Sequence, residues 1–185
     1  MHFFTCPFLR VVRYVPPGAR VLDIGAGHGV FSVLAADRGA RVFAVEPDLR
    51  KVLPVPGVQF VIGFDDVVRG TFDVVAINDV LYKIPFEQWD ALLTRVFERL
   101  PAGGVLLVKE HDPTARIKNA WNRWQEWLAA KLRLTLGESF SYETPADFTA
   151  RLKRLGFGEI EAKRIDSGYP HAHMLYVANK VNPPS

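Results

Sequence analysis

One stretch near the start of the chain decides the fold: Val21-Leu22-Asp23-Ile24-Gly25-Ala26-Gly27-His28-Gly29. Its apolar half predicts a short buried strand, and its glycines predict a tight turn before a helix. Glycine lets the backbone turn sharply and lets a ligand approach without meeting a Cβ atom. The next apolar strand ends at Glu46, about 20 residues after Gly25, where an acid can bind a ribose diol. The stretch therefore predicts a nucleotide-type binding loop.

Two ligands compete for this loop, a dinucleotide and S-adenosylmethionine. The dinucleotide pattern Gly-x-Gly-x-x-Gly fails at its last position, which is Val30. A pyrophosphate also needs helix N–H groups with no anion nearby, whereas Asp23 lies two residues before Gly25. A carboxylate there suits a ligand that carries a sulfonium and an α-ammonium group. The residues favour S-adenosylmethionine, and an NAD-dependent oxidoreductase remains the disfavoured alternative.

Apolar runs alternate with amphipathic helical patterns from residue 20 to about 155, which predicts parallel strands joined by helices. The strands are expected at residues 21–24, 42–45, 59–62, 72–77 and 105–108. Two further strand patterns, at residues 159–165 and 173–178, have only a loop between them, so they should pair antiparallel. The sequence predicts an α/β fold: a Rossmann-like open sheet of about seven strands, mostly parallel with an antiparallel last strand, and helices on both faces.

The length of 185 residues fits a single domain. We divide it into an N-terminal segment at residues 1–19, a cofactor-binding half at 20–110, and an acceptor-side helix with a C-terminal hairpin at 111–180. The helix predicted at residues 116–135 carries Trp121, Trp124 and Trp127. These tryptophans either pack in the core or roof an acceptor pocket, and peripheral contact with a membrane surface stays open.

Four segments, in order, resemble the class I S-adenosylmethionine-dependent methyltransferases. Residues 21–29 are similar to motif I, with a complete Asp-x-Gly-x-Gly-x-Gly core, and residues 42–48 resemble the acidic strand that follows it. Residues 72–85 resemble motif IV, and residues 100–109 resemble the Leu-x-Pro-Gly-Gly segment of the fifth strand. The resemblance implies a class I fold and methyl transfer from S-adenosylmethionine.

The resemblance also implies roles for individual residues at the ends of four strands. The cofactor-binding residues would be Asp23, Gly25, Ala26, Gly27, Glu46, Pro47, Asp65, Asn78 and Asp79. The first loop would hold the methionine end, Glu46 would bind both ribose hydroxyls, and Asp65 would meet the adenine N6 amine. Asn78 and Asp79 would lie beside the methionine moiety and the methyl acceptor.

The sequence departs from the family pattern in three places. Pro54 and Pro56 leave no room for a full helix after Glu46. Strand 5 follows Pro101-Ala-Gly-Gly where Lys-Pro-Gly-Gly is usual. Lys83 stands where many relatives have a histidine, in Leu-Tyr-His-Ile-Pro, so one base candidate of the family is missing here.

A base is needed in methyl transfer only when the acceptor loses a proton, because the sulfonium donor is already activated. Ligands of open α/β sheets bind beyond the carboxyl ends of the strands, which selects Asp79 after strand 4 and Glu110 with His111 after strand 5. We take His111 and Asp79 as the candidate catalytic residues and His171 as a further candidate. The five histidines lack a recognised metal-ligand spacing, so no metal site is predicted.

The composition of the chain limits which partners and which cellular compartment are expected. The net charge of +3 is too small to argue for a nucleic-acid partner. The lone Cys6 excludes an internal disulfide and fits the cytoplasm, and no apolar run reaches the ~18 residues of a transmembrane segment. We expect a small-molecule or lipid/polyketide-like acceptor, methylated at oxygen as first choice and at nitrogen or carbon next. A cofactor-binding module without catalytic activity is the other alternative, and the oligomeric state is not predicted.

Overall fold

The computed structural model describes residues 7–112, 143–169 and 171–181. Its strands are β1 (Arg20–Ile24), β2 (Arg41–Glu46), β3 (Val58–Ile62), β4 (Val74–Asn78), β5 (Val105–His111), β6 (Phe157–Arg164) and β7 (His173–Lys180). They form one sheet in the order β3-β2-β1-β4-β5-β7-β6. Strands β1 to β5 run parallel, and β7 pairs antiparallel with both β5 and β6. The predicted Rossmann-like sheet with an antiparallel last strand is confirmed.

Helices cover both faces of the sheet, as predicted. The α-helices of the described residues are α1 (Phe8–Val11), α2 (Val30–Asp37), α3 (Trp89–Arg99) and α4 (Pro145–Arg154). Short 3-10 turns lie at Val12–Tyr14, Leu49–Lys51, Asp65–Val67, Leu81–Lys83 and Phe86–Gln88. The side chain of Thr144 accepts a hydrogen bond from the Asp147 N–H at 3.2 Å, and Pro145 occupies the first turn of α4. Thr144 therefore caps α4, and Pro145 suits its first turn.

Alternating side chains of the strands supply two apolar cores, one on each face of the sheet. Leu22 and Val75 lie in the core that α3 and α4 cover. Val21 and Val74 lie in the core that α1 and α2 cover. All four side chains are buried. Burial on both faces explains why these strands are continuous apolar runs in the sequence rather than alternating ones.

The strand order reverses beside β1, whose neighbours are β2 on one side and β4 on the other. In open α/β sheets, ligands bind at such a switch point, beyond the carboxyl ends of the strands. The loops after β1, β2, β4 and β5 share that edge of the sheet. These loops and the strand ends before them carry most of the predicted site residues. Asp65 follows the parallel strand β3 and His171 precedes the antiparallel strand β7, so both lie toward the same edge.

Some element boundaries differ from the sequence-based expectations. The fourth strand was expected from residue 72 but begins at Val74, because the Phe72 N–H donates to the Arg99 carbonyl at 3.0 Å and its ring packs edge-on against Phe43. The sixth strand begins at Phe157 rather than residue 159 and has a register shift between Gly158 and Glu161. These contacts are long-range, so the apolar pattern does not reveal them.

Two expectations from the sequence remain predictions. The helix at residues 116–135 with Trp121, Trp124 and Trp127 lies outside the described residues, as does Cys6. The division into segments 1–19, 20–110 and 111–180 also stays a prediction. Within the ranges that the structure describes, no helix has the length and apolar character needed to cross a membrane.

Candidate active site

The loop after β1 is shaped by two glycines with positive φ angles, 70° at Gly25 and 56° at Gly27. The N–H groups of Gly25 and Ala26 donate to the Val45 carbonyl of β2, at 2.8 and 3.0 Å. A Cβ atom on Gly25 would lie 2.5 Å from Cγ2 of Val80, whereas a Cβ on Gly27 would meet no described atom within 4 Å. Gly25 thus permits contact with the loop after β4, and Gly27 leaves open space for a ligand.

Asp23 provides a buried carboxylate beneath this loop, with 1% of its surface exposed. The Ser32 hydroxyl of α2 donates to Asp23 Oδ2 at 2.6 Å. Burial raises the pKa of Asp23 to about 6, although the hydrogen bond from Ser32 opposes the rise. Asp23 is therefore anionic at neutral pH, as a partner for an α-ammonium group must be. Sequence reasoning missed Ser32, whose only signal is a hydroxyl in an otherwise apolar first turn of the helix.

Glu46 ends β2 beside the same open space. Its Oε2 accepts a hydrogen bond from the Gly27 N–H at 2.9 Å, and its Oε1 accepts one from the Asp48 N–H at 3.0 Å. The ammonium of Lys51 lies 3.6 Å from Oε1. The adjacent Pro47 is exposed. Because each carboxylate oxygen can accept more than one hydrogen bond, Glu46 keeps acceptor capacity for a ligand's hydroxyl groups.

Asp65, the residue implied to meet the adenine amine, has a partner within the protein. Arg95 of α3 donates to its two carboxylate oxygens at 2.7 and 3.0 Å, and Arg99 donates to its backbone carbonyl. The carboxylate is buried, while the neighbouring Phe64 is exposed. The adenine contact of Asp65 stays a prediction, and the ion pair with Arg95 is a competing use of the same carboxylate.

Asn78 ends β4, and Asp79 follows it with a positive φ of 56°. Lys109 of β5 is fully buried and forms an ion pair with Asp79, and its ammonium lies 5.1 Å from the centre of the Phe8 ring. Burial alone would raise the pKa of Asp79, but the charges of Lys109 and His173 outweigh it and lower that pKa. Asp79 therefore stays ionised, which suits an electrostatic role better than the role of a base.

A recess opens beyond the carboxyl ends of β4 and β5. Aromatic, apolar and acidic side chains line it together with one imidazole: Leu81, Tyr82, Trp89, Glu110, His111, Glu143, Phe148 and Tyr176. Arg151 of α4 binds both oxygens of Glu143, at 2.9 and 3.1 Å, and so neutralises that acid. Such a concave, mostly aromatic surface with a few polar groups is typical of small-molecule sites.

His111 is the titratable side chain of the recess best suited to proton transfer. Its ring centre lies 5.6 Å from that of His173 and 6.0 Å from that of His171. Burial lowers the pKa of His111, although the charge of Asp79 opposes the shift. The imidazole is therefore neutral at neutral pH and can accept a proton. His171, the further candidate, is only half-buried and lies next to His111.

The structure brings the predicted site residues into two adjoining groups. Gly27 and Glu46 are in contact at the open space after β1, where Asp23 is buried. His111 lines the recess after β4 and β5, and Asp79 lies near enough for its charge to act on His111. Sequence reasoning missed Lys109, the partner of Asp79. Its only signal is a lysine that directly follows the apolar run of the fifth strand.

The residues present fit S-adenosylmethionine. Asp23 is a buried anion where the methionine ammonium would be held, and Glu46 offers acceptors where ribose hydroxyls would be held. The open space beside Gly27 leaves room for a ligand to lie across the loop. A pyrophosphate at this loop, in contrast, would be repelled by the carboxylate of Asp23.

A family model described as a methyltransferase domain matches residues 7–162. A ubiquinone biosynthesis O-methyltransferase from Xanthomonas campestris pv. campestris (strain B100) is 32% identical over 114 residues, or 55% of this chain and 47% of that protein. A ribosomal protein L11 methyltransferase from Myxococcus xanthus (strain DK1622) is 33% identical over 113 residues, or 56% of this chain and 39% of that protein. The chain thus spans about half the length, or less, of these curated relatives.

Solved structures agree on the fold. Magnesium protoporphyrin IX methyltransferase from Synechocystis PCC 6803, with bound S-adenosylhomocysteine, superposes with a TM-score of 0.71 at 20% identity, over 93% of this chain and 81% of that one. The family match covers most of the chain and agrees with the choice of S-adenosylmethionine over a dinucleotide. The chain belongs to the class I S-adenosylmethionine-dependent methyltransferase family.

Proposed function

We propose that this protein transfers a methyl group from S-adenosylmethionine to a small-molecule or lipid/polyketide-like acceptor, at an oxygen atom. The observation that carries the proposal is the recess beyond β4 and β5. It is lined by aromatic rings and by His111, and it adjoins the cofactor loop through the residues that follow β4. Two sites in contact are what a transfer reaction between two bound molecules requires.

The cofactor side of the site would bind and orient S-adenosylmethionine. Asp23 would hold the methionine ammonium, the Gly27 region would hold the chain that follows, and Glu46 would hold the ribose hydroxyls. When bound, S-adenosylmethionine supplies a sulfonium-activated methyl group for in-line displacement. Asp79 keeps a fixed negative charge at the border of the two sites, because Lys109 holds it ionised.

The acceptor side of the site would bind a ring or chain and accept one proton from it. Tyr82 is half-buried and would offer an aromatic surface to the acceptor, and the buried rings of Trp89 and Phe148 complete the apolar lining. His111 would accept the proton of an acceptor hydroxyl, because its lowered pKa keeps it neutral and because it lies at the recess. Asp79 is the weaker base candidate, since Lys109 already stabilises its charge.

The acceptor class and the cellular compartment are further parts of the proposal. The curated relatives and the solved structure carry the names of unlike acceptors, namely ubiquinone, a ribosomal protein and magnesium protoporphyrin. We favour an aromatic acceptor that carries a hydroxyl group, because half of the residues that line the recess are Phe, Tyr or Trp. We place the reaction in the cytoplasm, which fits a chain with one cysteine.

The test is a transfer assay with methyl-tritiated S-adenosylmethionine and separate pools of catechols, hydroxylated polyketides and primary amines. The protein is expected to label a hydroxylated pool and to release S-adenosylhomocysteine, and Asp23→Ala, which weakens the cofactor site, is the control. Label in the amines alone would move the acceptor atom to nitrogen. Tight cofactor binding with no labelled pool would favour the non-catalytic module.

A further inference from the structure

The loop that follows β4 is fastened to the end of β5 by three consecutive backbone N–H groups. The Asp79 N–H donates to the Lys109 carbonyl at 2.8 Å. The Val80 and Leu81 N–H groups both donate to Oε1 of Glu110, at 2.9 and 2.8 Å. Successive N–H groups that converge in this way form a concave anion site. The Glu110 carboxyl fills that site from within the protein.

This loop has a conformation that needs outside support. Asp79 has a φ of 56°, in the left-handed region that residues with a side chain rarely adopt. Such a conformation persists only when surrounding contacts determine it. Because Oε1 of Glu110 holds the next two residues, it supplies a large part of that support.

The same loop forms one wall of the cofactor site. The side chain of Val80 lies against Gly25, and a Cβ atom added to Gly25 would lie only 2.5 Å from Cγ2 of Val80. Asn78, just before the loop, lies beside the buried carboxylate of Asp23. A shift of residues 79–81 would therefore displace the contacts that shape the glycine loop.

Burying the carboxyl group of Glu110 at this position costs free energy of folding. Its surface is 9% exposed, and its Oε2 has no hydrogen-bond partner in the part of the chain that the structure describes. An acid that only filled space would be replaced by a better-packed apolar side chain at lower cost. The two hydrogen bonds of Oε1 are its contribution to the structure.

We propose that Glu110 is a positioning residue for the cofactor site: its Oε1 fixes residues 79–81 so that Val80 and Asp79 take the places that S-adenosylmethionine binding requires. The role depends on where an acceptor oxygen lies and not on charge alone. It does not depend on the identity of the methyl acceptor, so it stands apart from the proposed function.

Two substitutions separate the position of the acceptor oxygen from the presence of a carboxyl group. Glu110→Gln keeps an oxygen at the place of Oε1, since only the amide oxygen can accept the two N–H groups. Glu110→Asp keeps the carboxyl group but withdraws both oxygens by one methylene. Asp112→Asn is the matched control, because Asp112 is a buried acid two residues further on whose ion-pair partner is Arg164, at 3.0 Å.

The experiment measures S-adenosylhomocysteine affinity by calorimetry and, without ligand, the hydrogen exchange of the Val80 and Leu81 amides. Glu110→Asp is expected to weaken binding about tenfold or more and to speed exchange of both amides. Glu110→Gln should bind within about threefold of the wild type with both amides protected, and Asp112→Asn should bind like the wild type. Wild-type affinity in Glu110→Asp, or equal losses in Glu110→Gln and Glu110→Asp, would overturn the proposal.

Discussion

The Gly27 N–H donates a 2.9 Å hydrogen bond to Glu46, and this contact joins the loop after β1 to the end of β2. The two residues are 19 positions apart in the chain. Since Gly27 leaves open space on its free side, the contact places a buried acid at the edge of that space. The acid and the glycine loop thus form one site at the switch point of the sheet.

Cofactor affinity should depend on pH through Asp23. Burial raises the pKa of this acid to about 6, and a ligand with an α-ammonium group prefers the ionised form. Affinity for S-adenosylhomocysteine should therefore rise between pH 5 and pH 7 and then level off, with a slope approaching tenfold per pH unit below pH 6. Calorimetric titrations at several pH values check this. In Asp23→Asn the same dependence should disappear, and an unchanged slope would remove Asp23 as its cause.

Stability should depend on pH through Glu110. Burial and the charge of Asp79 raise the pKa of Glu110 to about 8, so the folded protein keeps a proton that the unfolded chain releases. Stability from this group is lost as the pH rises from 4.5 to 8, and Glu110→Gln avoids the loss. The Tm of Glu110→Gln relative to the wild type should increase by at least ~3 °C between pH 5 and pH 9. The exposed Glu87→Gln is the control, and a constant Tm difference would contradict the assignment.

Turnover should depend on His111 more than cofactor binding does. His111→Ala removes the proposed proton acceptor and should lower kcat about a hundredfold on a hydroxyl acceptor, while S-adenosylhomocysteine affinity stays near the wild-type value. His171→Ala, which changes the neighbouring ring, should have a smaller effect. Rates measured from pH 6 to pH 9 on an acceptor identified by the transfer assay decide the matter. Equal rates for His111→Ala and the wild type across that range would remove His111 from the mechanism.

The two glycines of the first loop should respond differently to alanine. Both have positive φ, so both substitutions carry a backbone cost of about 1 kcal/mol. Gly25→Ala adds a collision with Val80 and should lower Tm more than Gly27→Ala does. Gly27→Ala instead fills the open space and should weaken S-adenosylhomocysteine binding at a modest cost in Tm. Thermal unfolding and calorimetry of both variants test this, and equal Tm losses would show that the contact with Val80 relaxes.

The sequence predicted the parts of the site that depend on local pattern. Asp23, the glycines and Glu46 follow from a strand, a turn and a second strand at a fixed spacing, because the parallel arrangement brings those strand ends together. The hydrogen bond by which Thr144 caps α4 is a local feature of the same kind, since its two residues are three positions apart.

What the sequence did not predict depends on pairs distant in the chain. Lys109 meets Asp79 and Glu110 meets Leu81 across about 30 positions, and Arg95 meets Asp65 across 30. Each pair forms only after neighbouring strands and helices are assembled, so no period or spacing marks it. The burial that raises the pKa of Asp23 is likewise a property of the packed sheet.

The most direct test of the cofactor site is calorimetric titration of S-adenosylhomocysteine into the wild type, Asp23→Ala and Glu46→Ala. Each substitution removes charge-assisted hydrogen bonds of ~1.5–3 kcal/mol, which corresponds to a loss of affinity of about tenfold or more. Glu87→Ala, an exposed acid on the 3-10 turn before α3, is expected to bind like the wild type. Weakening of more than tenfold in both site variants is the predicted result, and unchanged affinity in both would contradict the assignment of this loop as the S-adenosylmethionine site.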